Sequence, residues 1–285
     1  MKWMTSLMRR VARTLMLLLV VASATTALVR FAPGFFSDER EMDGRYAQDA
    51  RVELQAAVAQ NRSWTGIVVR EVRGWMDGDL GQSRQYQVPV AELVAPRIGA
   101  SATLLVRSIL GGWLVAICAA LPVSAMRRGG HLWGLPFTLL LATPTAAMAT
   151  ACILTDAGGP LLVLTLLVAA RDFKFLSRLL RQAWNSPHVL HGRAQGMPLP
   201  ALLRTHIWPN AAPRLWALAT LSIVTALAAM IPVEVLFNVP GIGQLAWSAV
   251  MNRDLPVLAA VSMLMAAAVA LASLLSSRPH TLEAA

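Results

Sequence analysis

Lysine is almost missing from this chain. Among 285 residues it occurs only as Lys2 and Lys174. A phosphate-binding loop of the G-x4-G-K-[ST] kind needs a lysine directly after its glycines, and neither position offers that setting. The chain therefore does not hydrolyse a nucleoside triphosphate by that route. Charge of either sign is scarce as well: charged residues are 14% of the chain, against about 25% in ordinary globular domains. Cysteine is limited to Cys118 and Cys152, both inside apolar runs and neither with a CxxC neighbour. That excludes a disulfide framework and a thiolate zinc site. HExxH, GxSxG and paired intramembrane aspartates are absent, so an intramembrane enzyme has no residues to work with. The histidines (His131, His188, His191, His206 and His280) do not make a metal-ligand set. No catalytic residue and no metal site is assigned.

Apolar residues are abundant. They make up 56% of the chain, with mean hydropathy +0.56, and they come in long runs rather than scattered periods. This predicts an all-α polytopic membrane protein. The formal charge is +10, but the arginines flank the hydrophobic runs. That placement orients a chain in a bilayer and does not make a nucleic-acid face.

Taken in order, residues 1–13 carry Lys2, Arg9, Arg10 and Arg13 ahead of an apolar run at 14–32. A cleaved signal peptide is the competing reading, because Ala22-Ser23-Ala24 resembles a cleavage site. The run continues past it to a spanning length, so an uncleaved first helix is preferred. Residues 34–96 are polar and mixed in charge, and form a small extracytoplasmic lobe with one helix expected at 49–60. The second span is 98–125. Two readings of Arg107 stay open: a functional charge at membrane depth, or a residue near the headgroups because Val90 to Arg107 starts as a helix outside the bilayer. Arg127, Arg128 and His131 form a basic turn. The third span, 132–154, is bent by Pro136 and Pro144. The fourth starts at 160–170 and runs on to Phe175 or beyond. The fifth is 215–237, the loop 238–254 lies outside, and the sixth span is 256–275. The N-terminus, the 127–131 turn, the segment 171–214 and the tail hold most of the cations, whereas the short loops after spans three and five hold only Arg253. Six transmembrane helices with both termini cytoplasmic satisfy this distribution. The organisation is 1–33 for the N-terminus and first helix, 34–96 for the lobe, and 97–285 for a five-helix core with a cytoplasmic loop at 186–213.

That loop is the longest polar island inside the hydrophobic core region. Ser186-Pro187 can start a helix with a capping hydroxyl and a proline in its first turn. Gly196 can end it in the left-handed conformation, and Pro200 can open a second short helix through His206 that stops before Pro209. Such a bent knob would be apolar on one side (Val189, Leu190, Leu202, Leu203) and could lie in a partner's groove. Arg193 and Arg204 would meet acids at the groove rim. By residue type alone, a plain connector between spans four and five remains the alternative.

Three stretches resemble the membrane-spanning permease subunits of binding-protein-dependent ABC importers, in the dipeptide, oligopeptide and nickel branch. The first is the EAA-type loop, EAA-x3-G-x9-I-x-L-P. Leu190-His191-Gly192-Arg193-Ala194-Gln195-Gly196 matches its first half and His206-Ile207-Trp208-Pro209-Asn210 its second, with full spacing from Gly196 to Pro209. The peptide branch reads T-A-R-A-K-G and H-A-L-P-N, which is closer still. In this chain Leu190 stands in place of the acidic residue, His191 and Gly192 in place of two small ones, Gln195 in place of Lys and Trp208 in place of Leu. The second stretch, Val233 to Gly243 followed by Asn252-Arg253-Asp254-Leu255-Pro256, is similar to E-x-x-F-x-x-P-G-x-G and N-R-D-Y-P. The third, Gly78-Asp79-Leu80-Gly81-Gln82-Ser83 with Val88-Pro89-Val90, resembles the G-D-x-G-x-S and P-V that precede span two.

The resemblance implies a permease subunit of an ATP-driven transporter in a bacterial-type cytoplasmic (inner) membrane. It would import peptides or a similar small solute delivered by an extracytoplasmic binding protein. It implies a heterodimer with a second permease subunit, plus two ATPase subunits that carry the ATP and Mg, with no cofactor bound by this chain. The ATPase-docking residues would be Leu190, His191, Gly192, Arg193, Ala194, Gly196, His206, Pro209 and Asn210. Glu234, Pro240, Gly241, Gly243, Arg253 and Asp254 would form the extracytoplasmic gate or receptor contact. Thr220, Ser222 and Thr225 of span five suit a translocation path, and equally the close packing of helices in lipid, which also favours small residues. The rival is a membrane scaffold or sensor whose 34–96 lobe reads a ligand and which has no ATPase partner.

Overall fold

The computed structural model describes residues 78–125 and 130–276, with isolated positions 8, 12, 16, 20, 21, 23, 24, 73 and 74. The first span at 14–32, most of the lobe with its helix at 49–60, Arg127 and Arg128, and the tail from 277 lie wholly or largely outside the described residues.

Helix dominates the rest, and prolines set most of its boundaries. Helix α1 (Val90–Ala125) begins directly after Pro89 and runs for 36 residues with Glu92 in its first turn, the end at which a negative charge is favoured. It starts earlier than the 98 expected for the span, at the Val90 start of the alternative reading. The expected third span is broken rather than bent. After the single turn α2 (Gly130–Trp133) come α3 (Leu135–Ala142) and α4 (Thr145–Thr155), which meet at 102°. Thr143 between them is extended, with ψ 132, because a residue before proline is driven out of the helical region. Pro136 lies in the first turn of α3 and opens that helix instead of bending it.

Helix α5 (Pro160–Trp184) is longer than the expected fourth span and two-sided. Val163, Leu164, Val168, Phe173, Leu176 and Leu180 are buried. Lys174, Arg178 and Arg181 are exposed. Its charged second half keeps it out of the helices apolar enough to cross a membrane. Helix α6 (Pro187–Ala194) and the turn α7 (Leu199–Leu202) follow, then a π-helical turn at Leu203–Ile207 that runs directly into α8 (Trp208–Leu236). The second half of the polar loop is thus the start of span five, and it does not stop before Pro209. Pro209 sits in the first turn of α8, where its missing N–H costs least. The wide turn in front of it relieves the clash its ring would otherwise make with the preceding carbonyls. The expected outside loop at 238–254 also contains a helix, α9 (Ile242–Met251), and α10 (Leu255–Ser276) is the last helix among the described residues. Among the described residues three helices are long and apolar enough to cross a membrane (Val90–Ser124, Pro200–Leu236 and Leu255–Leu274), or four if α3 and α4 count as one broken span. There is no strand among them, only an isolated bridge between Gln82 and Pro89.

Contacts divide the chain into two compact units, 1–96 with 245–270, and 97–244 with 271–285. The core of the second joins Ala116 and Ala120 of α1, Phe173, Leu176 and Leu180 of α5, and Leu215 and Leu218 of α8. Trp184 Nε1 donates to Ser124 Oγ at 2.9 Å, and Phe137 stacks on Phe173 with centroids 4.0 Å apart. Helices α1 and α5 meet at Gly112. A Cβ there would stand 2.6 Å from Val168 Cγ1 and 3.1 Å from the Ala169 backbone nitrogen. This is the small-residue contact that lets helices approach in a bilayer. Gly112→Ala is expected to cost about 1–3 kcal/mol by overpacking. It should appear as a lowered thermal midpoint of the detergent-purified protein, and an unchanged midpoint would rule out the close approach.

Candidate functional site

The two halves of the loop motif fold onto each other. On α6, Val189 and Gly192 turn inward and are buried. A Cβ on Gly192 would stand 2.8 Å from Leu202 Cδ2, 3.2 Å from Met197 Sδ and 3.6 Å from His206 Cδ2. Only glycine lets α6 lie this close to the chain that returns from it. Gly196 turns the chain at φ +77, in the left-handed region glycine enters without strain. Asn210 Nδ2 then reaches the His206 carbonyl at 2.8 Å and His188 Nε2 at 2.9 Å, and the His188 and His206 rings lie 6.1 Å apart. His191 and Gln195 pair at 3.0 Å.

Two expectations for this knob are corrected. Ser186 precedes α6 as foreseen, but its hydroxyl makes no cap; it donates to the Ala183 carbonyl of the preceding helix. The apolar side is also divided. Val189 and Leu202 are buried in this chain's own core, and Leu190 alone of the four is exposed on the outer face, at 49%. Beside it His191, Arg193, Ala194 and Arg204 are exposed, and the Arg193 guanidinium stands 5.8 Å over the Trp184 ring.

At the far end of α8, Glu234 is fully buried, and everything around it donates. Ser101 Oγ gives it 2.6 Å, the Gly243 amide 2.7 Å and the Gln244 amide 3.3 Å. The Ile242 amide donates to Ser101 Oγ at 2.7 Å. The first three amides of α9, orphans in any helix, are thereby satisfied by one carboxylate and one hydroxyl. The carboxylate also complements the positive end of the helix dipole. A Cβ on Gly241 would run into the Glu234 carboxylate, and one on Gly243 would come within 2.8 Å of Ile231 Cα. The spacing of Glu234, Gly241 and Gly243 follows directly from this cradle. Pro240, just outside it, is exposed.

The first unit repeats the arrangement. Asp254, 1% exposed, accepts from the Ser83 hydroxyl and from the Arg84 and Gln85 amides at 3.2 and 3.3 Å. Ser83 Oγ in turn accepts the Tyr86 amide at 3.0 Å. Gly78 and Gly81, at φ +79 and +78, let the loop curl, and Asp79 takes the Gly81 amide at 2.8 Å. Two sequence stretches singled out separately are thus one structural element. Arg253 precedes Asp254 in the left-handed region, at φ 54.

The span-five hydroxyls are not gathered in one place. Thr225 Oγ1 bonds back to the Leu221 carbonyl at 2.7 Å, and Thr220 Oγ1 lies 3.3 Å from both the Trp216 and Ala272 carbonyls. Ser222 is buried, 2.7 Å from Asp172 Oδ2 and 3.2 Å from Trp113 Nε1. Sequence reasoning passed over Asp172, a fully buried acid whose Oδ1 has no hydrogen-bond partner. Its signal was there, a lone acid between Arg171 and the apolar Phe173. Ser101 had no signal beyond being a small polar residue in an apolar run. Among the described residues no group of three His, Cys, Asp or Glu is gathered.

The Glu234 cradle yields an ordered expectation. Glu234→Ala leaves three buried donors unpaired, at about 1–3 kcal/mol each, whereas Glu234→Gln retains one acceptor oxygen. Thermal midpoints should fall in the order wild type, Gln, Ala, with Gly241→Ala close to the alanine variant. Equal midpoints for all four proteins would refute the cradle.

Comparison with known proteins gives the family of the chain. Residues 108–281 match the family described as the binding-protein-dependent transport system inner membrane component. The chain is 23% identical over 274 residues to the metal-staphylopine import system permease protein of Staphylococcus aureus (strain NCTC 8325), covering 87% of each. It is 22% identical over 324 aligned positions to the dipeptide transport system permease protein of Escherichia coli K12, covering 94% of each. The matched region takes in the α6 knob, Glu234 with the start of α9, and Asp254, whereas Ser101 and Ser83 precede it, and the family covers more than half of the chain. The chain belongs to the inner-membrane permease components of binding-protein-dependent transport systems, and is a multi-pass protein of the inner membrane.

Proposed function

We propose that this permease imports peptides or a similar small solute, received from an extracytoplasmic binding protein and driven by ATPase subunits docked at α6. The observation that carries the reading is the joining of residues 190–196 and 206–210 into one exposed knob that continues through the π-helical turn into α8. The full topology is six spans, with 14–32 as the first, both termini in the cytoplasm, 34–96 as an extracytoplasmic lobe and 97–285 as the core. A second, different permease subunit completes the path, and two ATPase subunits bind ATP and Mg. The Escherichia coli relative is a dipeptide transport system permease protein, and the staphylococcal relative is a metal-staphylopine import system permease protein.

The geometry supports a mechanical route from knob to gate. Closure of the ATPase subunits displaces α6. Gly192 is too tightly packed for α6 to slide independently, so the displacement passes to Leu202 and His206 and into α8. That helix runs without interruption to Glu234, which holds Ser101 of α1 and the start of α9. Rigid helices carrying a hinge motion between two packed arrangements suffice for alternating access. Glu234 with Pro240, Gly241 and Gly243, and Arg253 with Asp254, form the outward gate or receptor contact in this reading. Thr220, Ser222 and Thr225 belong to the translocation path.

The test is reconstitution with the second permease and the ATPase subunits in lipid nanodiscs. Gly192→Leu and Gly196→Val are expected to lower substrate-stimulated ATP hydrolysis at least about tenfold, the scale of a strained or overpacked contact at 1–3 kcal/mol. Gly99→Ala, at an exposed helical position with open space around it, should not. Normal assembly and transport by both knob variants would end the docking proposal.

A further inference from the structure

We infer that the groove receiving α6 on the partner ATPase is acidic at its rim and apolar where Leu190 enters, the opposite of a groove built to hold an acidic side chain. The inference rests on the docking reading above and adds the chemistry of the partner. Between Asp172 and Glu234 the chain has no acidic residue, while Lys174, Arg178, Arg181, Arg193, Arg204 and Arg214 all lie in that interval. Arg193 and Arg204 are exposed on the knob. No internal acid is therefore near in sequence to neutralise them. The hydrogen bonds of this region engage the Arg214 guanidinium with Gln182 and the knob's histidines with Asn210, Gln195 and Ser186, all of them uncharged partners. Arg193 stands 5.8 Å over this chain's own Trp184 ring, a contact that leaves its charge without a carboxylate, so in a docked complex both exposed guanidiniums are best met by carboxylates of the partner.

The apolar half of the argument is Leu190. Val189 and Gly192 fix the rotation of α6 by packing on this chain's own core. Residues three and four apart share a helix face, so Leu190, Arg193 and Ala194 point outward together. Leu190 is about half exposed, and an aliphatic side chain at the centre of a docking face gains affinity only from an apolar seat. A basic residue in the partner at that point, suited to an acidic side chain, would meet Leu190 with an unpaired buried charge. The same site therefore selects its own ATPase and rejects one matched to an acidic knob.

The experiment uses the full chain co-purified with the second permease and its ATPase subunits in nanodiscs, with ATPase dissociation measured against salt. Wild-type affinity should fall as salt rises. Arg193→Glu and Arg204→Glu should each weaken binding about tenfold or more, the range for close charge pairs across an interface. Leu190→Glu should weaken it similarly, while Leu190→Met stays near wild type. Tighter binding by Leu190→Glu, or arginine reversals without effect, would overturn the inference while leaving docking itself intact. Failure of the wild-type chain to bind any ATPase subunit would instead remove the docking reading. The bilayer is the other surface that arginines of this kind can meet. If the reversals changed affinity for vesicles containing phosphatidylglycerol and left ATPase affinity unchanged, the arginines would serve the membrane and the inference would fail.

Discussion

A buried carboxylate surrounded by amide and hydroxyl hydrogens governs the far end of this permease. Glu234 has lost all contact with water, a loss that would be prohibitive without hydrogen bonds to replace the solvent. It recovers them from Ser101 and from the opening turn of α9. The exchange is mutual, since those amides would be orphans without the acid. The end of α8, a point on α1 and the opening turn of α9 thus stand or fall together. Gly241 and Gly243 follow as requirements, because a side chain at either position would occupy space the acid or the α8 backbone already fills. Asp254 solves the same problem in the other unit, with Ser83 in the role Ser101 plays beside Glu234.

Two different physical demands therefore shape the two ends of the region 171–254. One end gathers acids inward and closes backbone around them. The other leaves cations and one aliphatic side chain facing out, with histidine and amide contacts fixing the backbone beneath. Glycine serves both ends: at Gly112 and Gly192 it allows close approach, and at Gly196 it allows a reversal of the chain. The knob and the cradle are the termini of one helical rod. Their chemistry differs because one must present a surface and the other must hide a charge.

Most helices were legible in the sequence, because long apolar runs at membrane length leave little alternative. The stop at Gly196 and a departure from straight helix at Pro144 were legible for stereochemical reasons that hold in any context, though the departure is a break and not the expected bend. Three features were not. Pro209 reads as a terminator, yet it sits in a helix, because the preceding turn widens and no single-residue propensity reports that. The segment 238–254 reads as a loop between spans, yet α9 forms there, because its amides are satisfied by a residue eight positions upstream of its start and by another on a different helix. Asp172 was hidden by the cations around it: a charge count registers the excess of arginine and passes over an acid among them that folds inward. The two motif halves at 190–196 and 206–210 could be paired by spacing, but their juxtaposition depends on the absence of a side chain at Gly192, which spacing does not encode.

The π-helical turn at Leu203–Ile207 sets an angular relation. Such a turn holds one residue more than an ordinary one, and each residue of an α-helix contributes about 100° of rotation. The inward set of the knob, Leu202 with Val189 and Gly192 above it, is therefore phased against the α8 core residues by an offset that a regular helix could not reproduce. A variant lacking one residue here would keep a continuous, apolar, membrane-length helix. It would nevertheless turn the outward face of the knob about 100° relative to the side on which Glu234 lies. The bulge works as a phase setting between the knob and the Glu234 cradle, a property of residue count that composition and hydropathy leave untouched.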